Sequence, residues 1–257
     1  MKRTLALLSL AVLILLSGCS GTPVQKEPII PARRPVSEFV NPEAPHTIDA
    51  FDPWEPLNRR IYNFNAIFDE YVFLPVVGAY EFVLPEAAQT GVSNFFRNLT
   101  EIGNLTNSLL QFKILKAVNT FGRIVINSTV GLAGLIDVAA TVDGIERENE
   151  DFGQTLGFYG LGPGPYLVLP ILGPSSVRDT TGLAVDTVAY NLMMNEIFKG
   201  LALYNTTRDV VNYGLTALYA IDKRHTESFR YFMTGSPFEY DLVRRLFLLK
   251  REFLIDN

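Results

Sequence analysis

From residue 56 onward the apolar positions recur with helical spacing. Ile61, Phe64, Phe68 and Tyr71 follow one another at intervals of three and four, with Arg59, Asn63, Asn65, Asp69 and Glu70 between them. That period marks an amphipathic helix. Its start has the matching chemistry, with Asp52 as the expected N-cap, Pro53 at the first helical position and Glu55 three residues after the cap. Pro56 disfavours helical backbone at Glu55, so the regular turns are expected from there to a stop before Pro75. The same period predicts helices over 88–98, 105–126, 184–203, 209–224 and 238–254. In the last of these Phe238, Leu242, Leu246, Leu249 and Phe253 form a stripe that Val243, Phe247 and Leu248 widen. Wide apolar faces imply apolar surroundings on more than one side. Strand alternation is scarce, and Tyr166 to Leu169 is the best short run. No repeat of solenoid length is present.

Two uncharged stretches bear on membranes. Thirteen residues separate Arg123 from Asp137, and Asn127, Ser128, Thr129, Gly131 and Gly134 make them a buried or interfacial helix rather than a span of about 20 apolar residues. Residues 152–177 form the longest charge-free run, 26 residues, but Pro163, Pro165, Pro170 and Pro174 forbid a continuous helix. Irregular backbone facing lipid would leave its N–H and C=O groups unsatisfied, so this run must be covered by protein or line a wet cavity.

The N-terminal pattern differs from the rest. Lys2 and Arg3 precede an apolar run from Leu5 to Leu16, and Ser17-Gly18 lead into Cys19, the only cysteine among 257 residues. The pattern reads as a signal peptide over 1–18 whose end resembles a bacterial lipobox, which implies acylation of Cys19. Where Asp after the cysteine of such lipoproteins implies inner-membrane retention, this chain has Ser20, so the resemblance points to the outer membrane. Acylation removes the last thiol, which excludes disulfides, thiolate catalysis and cysteine-bound zinc. Residues 19–50, with six prolines and few large hydrophobes, read as an extended tether, leaving 51–257 as the domain.

Composition sharpens this picture. The charged fraction is 19%, below that of ordinary soluble domains, and mean hydropathy is +0.17. Without residues 1–18 there remain 20 Lys and Arg against 27 Asp and Glu, a net charge of −7. A chain so charged is a poor nucleic-acid binder, so membrane contact has to be apolar.

Enzymatic readings are weak. The glycine-rich stretch YGLGPGPYLVLPILGPSS, 159–176, lacks the spacing and lysine of a phosphate loop, and Pro163 and Pro165 remove donors a phosphate needs. Gly173-Pro174-Ser175-Ser176 is not a nucleophile turn. Histidine occurs only as His46, in the tether, and His225, in a charged segment that reads as solvated. The acidic run DGIERENEDFG, 143–153, reads as a solvated loop rather than a catalytic dyad. No cofactor or metal is expected.

Several segments together resemble one family. DPWEPLNRRIYNFN (52–65), SNFFRNL (93–99), GLIDVA (134–139), EDFGQTLGFYGLGPGPYLVLP (150–170) and GPSSVRD (173–179), combined with a lipobox, are similar to the MlaA (VacJ) outer-membrane lipoproteins. The resemblance covers residues 51 to 254 and implies an all-α fold: a ring of amphipathic helices in the periplasmic leaflet around a central channel, with little or no sheet. It implies a non-enzymatic protein that removes mislocalised phospholipid from the outer leaflet and passes it to a periplasmic lipid-binding carrier, in association with a trimeric porin. Candidates for the lipid path are Asn63, Phe64, Asn65, Gly160, Gly162, Gly164, Tyr166 and Arg178. For the glycines two readings stand side by side, close passage of lipid past bare backbone, or simply positive φ in tight turns. Arg178-Asp179 can serve a phosphate or cap a helix, and Trp54 can sit at the membrane interface or in a core. No acidic tail of the kind some members carry is expected after Asn257. Two other functions remain, a structural lipoprotein docked on a porin and, further off, a lipid hydrolase.

Overall fold

The computed structural model describes residues 50–200 and 205–256. The fold is all-α with one small hairpin. Helix α1, Glu55–Phe68, begins with Trp54 at the cap position and no side-chain cap. Asp52 is therefore not the expected N-cap; its carboxylate is taken up by Asn58, Tyr240 and Arg244 instead. The helix also does not stop before Pro75. It widens into a π turn at Asp69–Phe73, in which the Leu74 N–H reaches back five residues to Asp69 O, and continues as α2, Leu74–Val83. The wider turn makes room for a proline ring that would crowd an α-helical carbonyl, and Pro75 then sits in the first turn of α2, where a missing N–H costs little.

Helices α3, Glu86–Leu110, and α4, Ile114–Thr129, form the most extensive helix pair. The expected gap at 99–104 is helical, and the break falls at Gln111–Lys113, where Phe112 has φ 57°. Gly103 weakens the helix by about 1 kcal/mol. Asn104, one turn after the expected gap begins, is instead held by bonds to Glu101 and to the Glu148 carbonyl.

A 3₁₀ turn, Val138–Thr141, follows with Asp137 as its cap. The short helix α5, Phe152–Phe158, starts on Asp151, whose carboxylate accepts from Gln154 N–H. Strand β1, Tyr166–Leu169, falls where alternation placed it and pairs antiparallel with β2, Gly173–Ser176, Tyr166 opposite Ser176. Helix α6, Val177–Gly200, opens with a reciprocal cap: Asp179 N–H donates to Ser176 Oγ, and that hydroxyl donates to the Asp179 carboxylate. Helices α7, Asn205–Thr226, and α8, Glu239–Asp256, complete the chain within one to four residues of expectation at each described end.

The apolar core is small. Tyr62, Tyr166, Val168 and Tyr240 are buried together, with Tyr231, Phe232 and Phe247 packed around them edge to face. Elsewhere the interior is polar. Among the described residues, 22 polar or charged side chains are buried against 12 apolar ones. Helix α3 buries Asn98, Glu101, Asn104, Asn107 and Ser108, and α4 buries Thr120, Arg123 and Asn127. Their apolar residues point outward: Leu109, Phe112, Ile114, Val118 and Phe121 are all more than half exposed, and Leu115 is 83% exposed. Among the described residues no helix is long and apolar enough to cross a membrane.

Candidate functional site

The glycine-rich stretch is held against the first helix by two carboxamides. Asn58 donates to Tyr166 O at 3.0 Å and accepts from Val168 N–H at 2.9 Å. Two turns on, Asn65 donates to Leu169 O at 2.9 Å and accepts from Ile171 N–H at 2.7 Å. Seven residues apart, they lie on one face of α1. Each offers an acceptor and donors like those of a backbone, so the pair replaces a third strand beside β1. The Phe51 carbonyl extends the same row by accepting from Tyr166 N–H at 3.0 Å. Strand β1 is thus covered by protein, whereas Leu161 and the hairpin-turn residues Ile171 and Leu172 stay exposed.

Beneath lies a network of buried charge. Arg123, 3% exposed, donates to Glu101 at 3.1 Å, to both Asp137 oxygens at 3.0 Å and to the Ile145 carbonyl. Buried ions are tolerated only when so paired. Burial raises the Asp137 pKa, but hydrogen bonds from Asn127 and Arg123 and the guanidinium charge outweigh it, and the carboxyl is held below its ordinary value. The acidic run is not a solvated loop throughout. Glu150 is 5% exposed and accepts from Gln111, Lys113 and Lys116, while Asp151 binds Arg251. These carboxylates serve as anchors to cations, an arrangement unlike a catalytic dyad. A Tyr80 ring and a 2.8 Å contact with Glu81 hold the half-buried His225 against the fold rather than on a free polar face. Burial is also the main cause that pushes the Tyr231 hydroxyl up to about 12.

The residues singled out from sequence separate into groups. Asn65 is buried on the hairpin; Asn63 and Phe64 are exposed, with Phe64 stacked on Phe68. Tyr166 is fully buried in the aromatic core. Gly160 and Gly164 have φ of +86° and +68°, so both meet the turn requirement. Gly162 has open space where a side chain would begin. Arg178 is buried and donates to Asp179 and to the Leu161 carbonyl, which ties it to the glycine loop. Trp54 is 44% exposed. Cys19 lies outside the described residues. The polar interior was missed as a site, although Asn98, Glu101, Asn104, Ser108 and Gln111 already recur at threes and fours.

Comparison with known proteins follows the same outline. The MlaA lipoprotein family model matches residues 50–254. The chain belongs to the MlaA family. A Rickettsia bellii uncharacterized protein is 34% identical over 206 residues, covering 79% of this chain and 76% of that one. The intermembrane phospholipid transport system lipoprotein MlaA of Escherichia coli is 39% identical over 138 residues, 52% of this chain and 55% of that protein. An uncharacterized protein of Rickettsia prowazekii is 35% identical over 147 residues, and the match takes in 58% of its length. A solved chain described as the "structural basis for maintenance of bacterial outer membrane lipid asymmetry" superposes with a TM-score of 0.61 at 29% identity, covering 80% of this chain and all of that one. In this MlaA-family chain two of the family-like blocks, 52–65 and 150–170, meet at the Asn58 and Asn65 bonds to the hairpin.

Proposed function

We propose that this MlaA-family chain is an outer-membrane lipoprotein, anchored through acylated Cys19 after loss of residues 1–18, that helps keep phospholipid out of the outer leaflet. The observation that carries this reading is the reversed amphipathicity of α3 and α4, polar within and apolar without. In water such faces would expose far more apolar surface than a monomer presents. Among acyl chains they are solvated, and the polar groups find partners inside. The names of the Escherichia coli relative and of the solved structure support a lipid cargo.

In this reading the helical body lies in the periplasmic leaflet and forms a ring with a channel. Phospholipid enters from the outer leaflet and leaves to a periplasmic lipid-binding carrier, with a trimeric porin beside it. No bond is made or broken, and the interior carboxylates hold structure rather than catalyse. The test is a deletion strain. Phospholipid is expected to appear at its cell surface, with sensitivity to detergent plus chelator. A strain whose outer leaflet stays free of phospholipid ends the proposal. Lipid crosslinked at Gly162, where the backbone faces open space, distinguishes a transporter from a lipoprotein that only docks on a porin.

A further inference from the structure

The loop that leads into α5 carries a guanidinium whose donors the fold does not fully satisfy. Arg147 donates to the Thr100 hydroxyl at 2.9 Å, which ties it to α3. Its Nε is buried and meets no hydrogen-bond acceptor. The carboxylate beside it, Glu101, stands 3.7 Å off, and the same oxygen already accepts from Arg123 at 3.1 Å. Arg97 lies one turn before Thr100 on α3, at the i,i+3 spacing that makes side chains neighbours. It is exposed and forms no ion pair among the described residues.

Positive charge exceeds negative here. Arg97, Arg123 and Arg147 stand around two carboxylates, Glu101 and Asp137, and both Asp137 oxygens accept from Arg123. Of the acidic neighbours of Arg147 in sequence, Glu148 reaches to Lys116, and Glu146 is exposed with no ion pair among the described residues. Burial holds the Arg147 guanidinium below its ordinary value; the Glu101 charge opposes this, and the charges of Arg97 and Arg123 add to it. Two cations so placed repel each other when alone, and both gain when an anion sits between them.

The chemistry of that anion follows from the donors. One guanidinium fork saturates the two oxygens of a carboxylate, whereas a phosphate has oxygens enough to face two forks. Apolar surface lies next to it. Asn94, one turn before Arg97, donates to the Leu135 carbonyl at 3.2 Å, and Leu135 and Ile136 are 47% and 51% exposed, open to an acyl chain. We propose that Arg97 and Arg147 form a site for the phosphate of a phospholipid headgroup, with Thr100 as the residue that positions Arg147. The proposal rests on the reading that phospholipid is the cargo, and it assigns residues to its capture.

The experiment reconstitutes the full-length lipoprotein in vesicles of phosphatidylglycerol with a minor fraction of diacylglycerol, extracts it, and measures the co-purifying lipids by mass spectrometry. Diacylglycerol carries the same chains without the phosphate. Wild type is expected to enrich the phospholipid above the vesicle ratio. Arg97→Ala is expected to lower that enrichment about fivefold or more. Arg97→Glu, which places a carboxylate where the anion would sit, is expected to lower it further. Both variants are expected to melt at or above the wild-type midpoint, because each relieves the repulsion on Arg147; an arginine that only held structure would lower it. An unaltered ratio in Arg97→Ala, or a lower midpoint in either variant, overturns the site and leaves the cargo reading standing. No bound lipid in wild type overturns both. Inorganic phosphate that raises the wild-type midpoint as far as phosphatidylglycerol does, at equal concentration, overturns the assignment to a lipid.

Discussion

Asn58 and Asn65 illustrate how much depends on helix phase at the scale of single residues. Replacing Asn65 by Ala removes the donor to Leu169 and the acceptor for Ile171, leaving backbone groups of the hairpin unpaired. A loss of about 1–3 kcal/mol is expected, measured as a lower thermal unfolding midpoint in detergent. Asp137 yields a pH prediction. Its folded pKa lies below the ordinary 3.8, so the stability it contributes is complete above that value and is lost as pH falls through the folded pKa. Wild type is expected to lose more stability than Asp137→Asn between pH 5 and the acid limit, as followed by unfolding midpoints across pH. In the sequence, Asn63, Phe64 and Asn65 were equivalent candidates. Only the rotation of α1 shows that Asn65 faces the hairpin while its two neighbours face out. Glu150 was misread because the lysines that bury it, Lys113 and Lys116, lie more than thirty residues away.

Among the secondary elements, periodicity located the long helices and the strand at Tyr166, since both depend on local pattern. It failed where tertiary packing overrides local signals. Pro75 read as a helix end and 99–104 as a gap, yet a π turn absorbs the first and the Asn104 bonds to Glu101 and the Glu148 carbonyl lie within the second. Helix α5 is too short to show a period, and its Asp151 cap was read as part of a solvated acidic loop. Close packing of α5 on α6 depends on Gly182, where an added Cβ would lie 2.2 Å from Gly153 N. Gly182→Ala is expected to cost about 3 kcal/mol or more, through forced separation of the two helices. Gly162→Ala meets nothing within 4 Å and is expected to leave the unfolding midpoint within about 0.5 kcal/mol of wild type. The pair of melts distinguishes a packing glycine from one whose importance, if any, is for function.

For the molecule as a whole, the outward Leu115, Val118 and Phe121 predict how it partitions. Val118→Asp is expected to weaken flotation with liposomes while leaving circular dichroism in detergent unchanged, because the side chain is 61% exposed and supports no core. Cys19→Ala is expected to shift the protein from membranes to the soluble fraction, read by fractionation. Composition foreshadowed the apolar exterior. The polar interior was not legible, since nothing in one helix tells which of its faces turns inward. The clamp at Asp52 has a mechanical consequence. Were the chain anchored through Cys19 as proposed, a pull along it would enter the body at Phe51 and Asp52, where a backbone bond to Tyr166 and bonds to Tyr240 and Arg244 would share the load. Such a joint would divide the load across several bonds at once and spare the first turn of α1 from opening bond by bond.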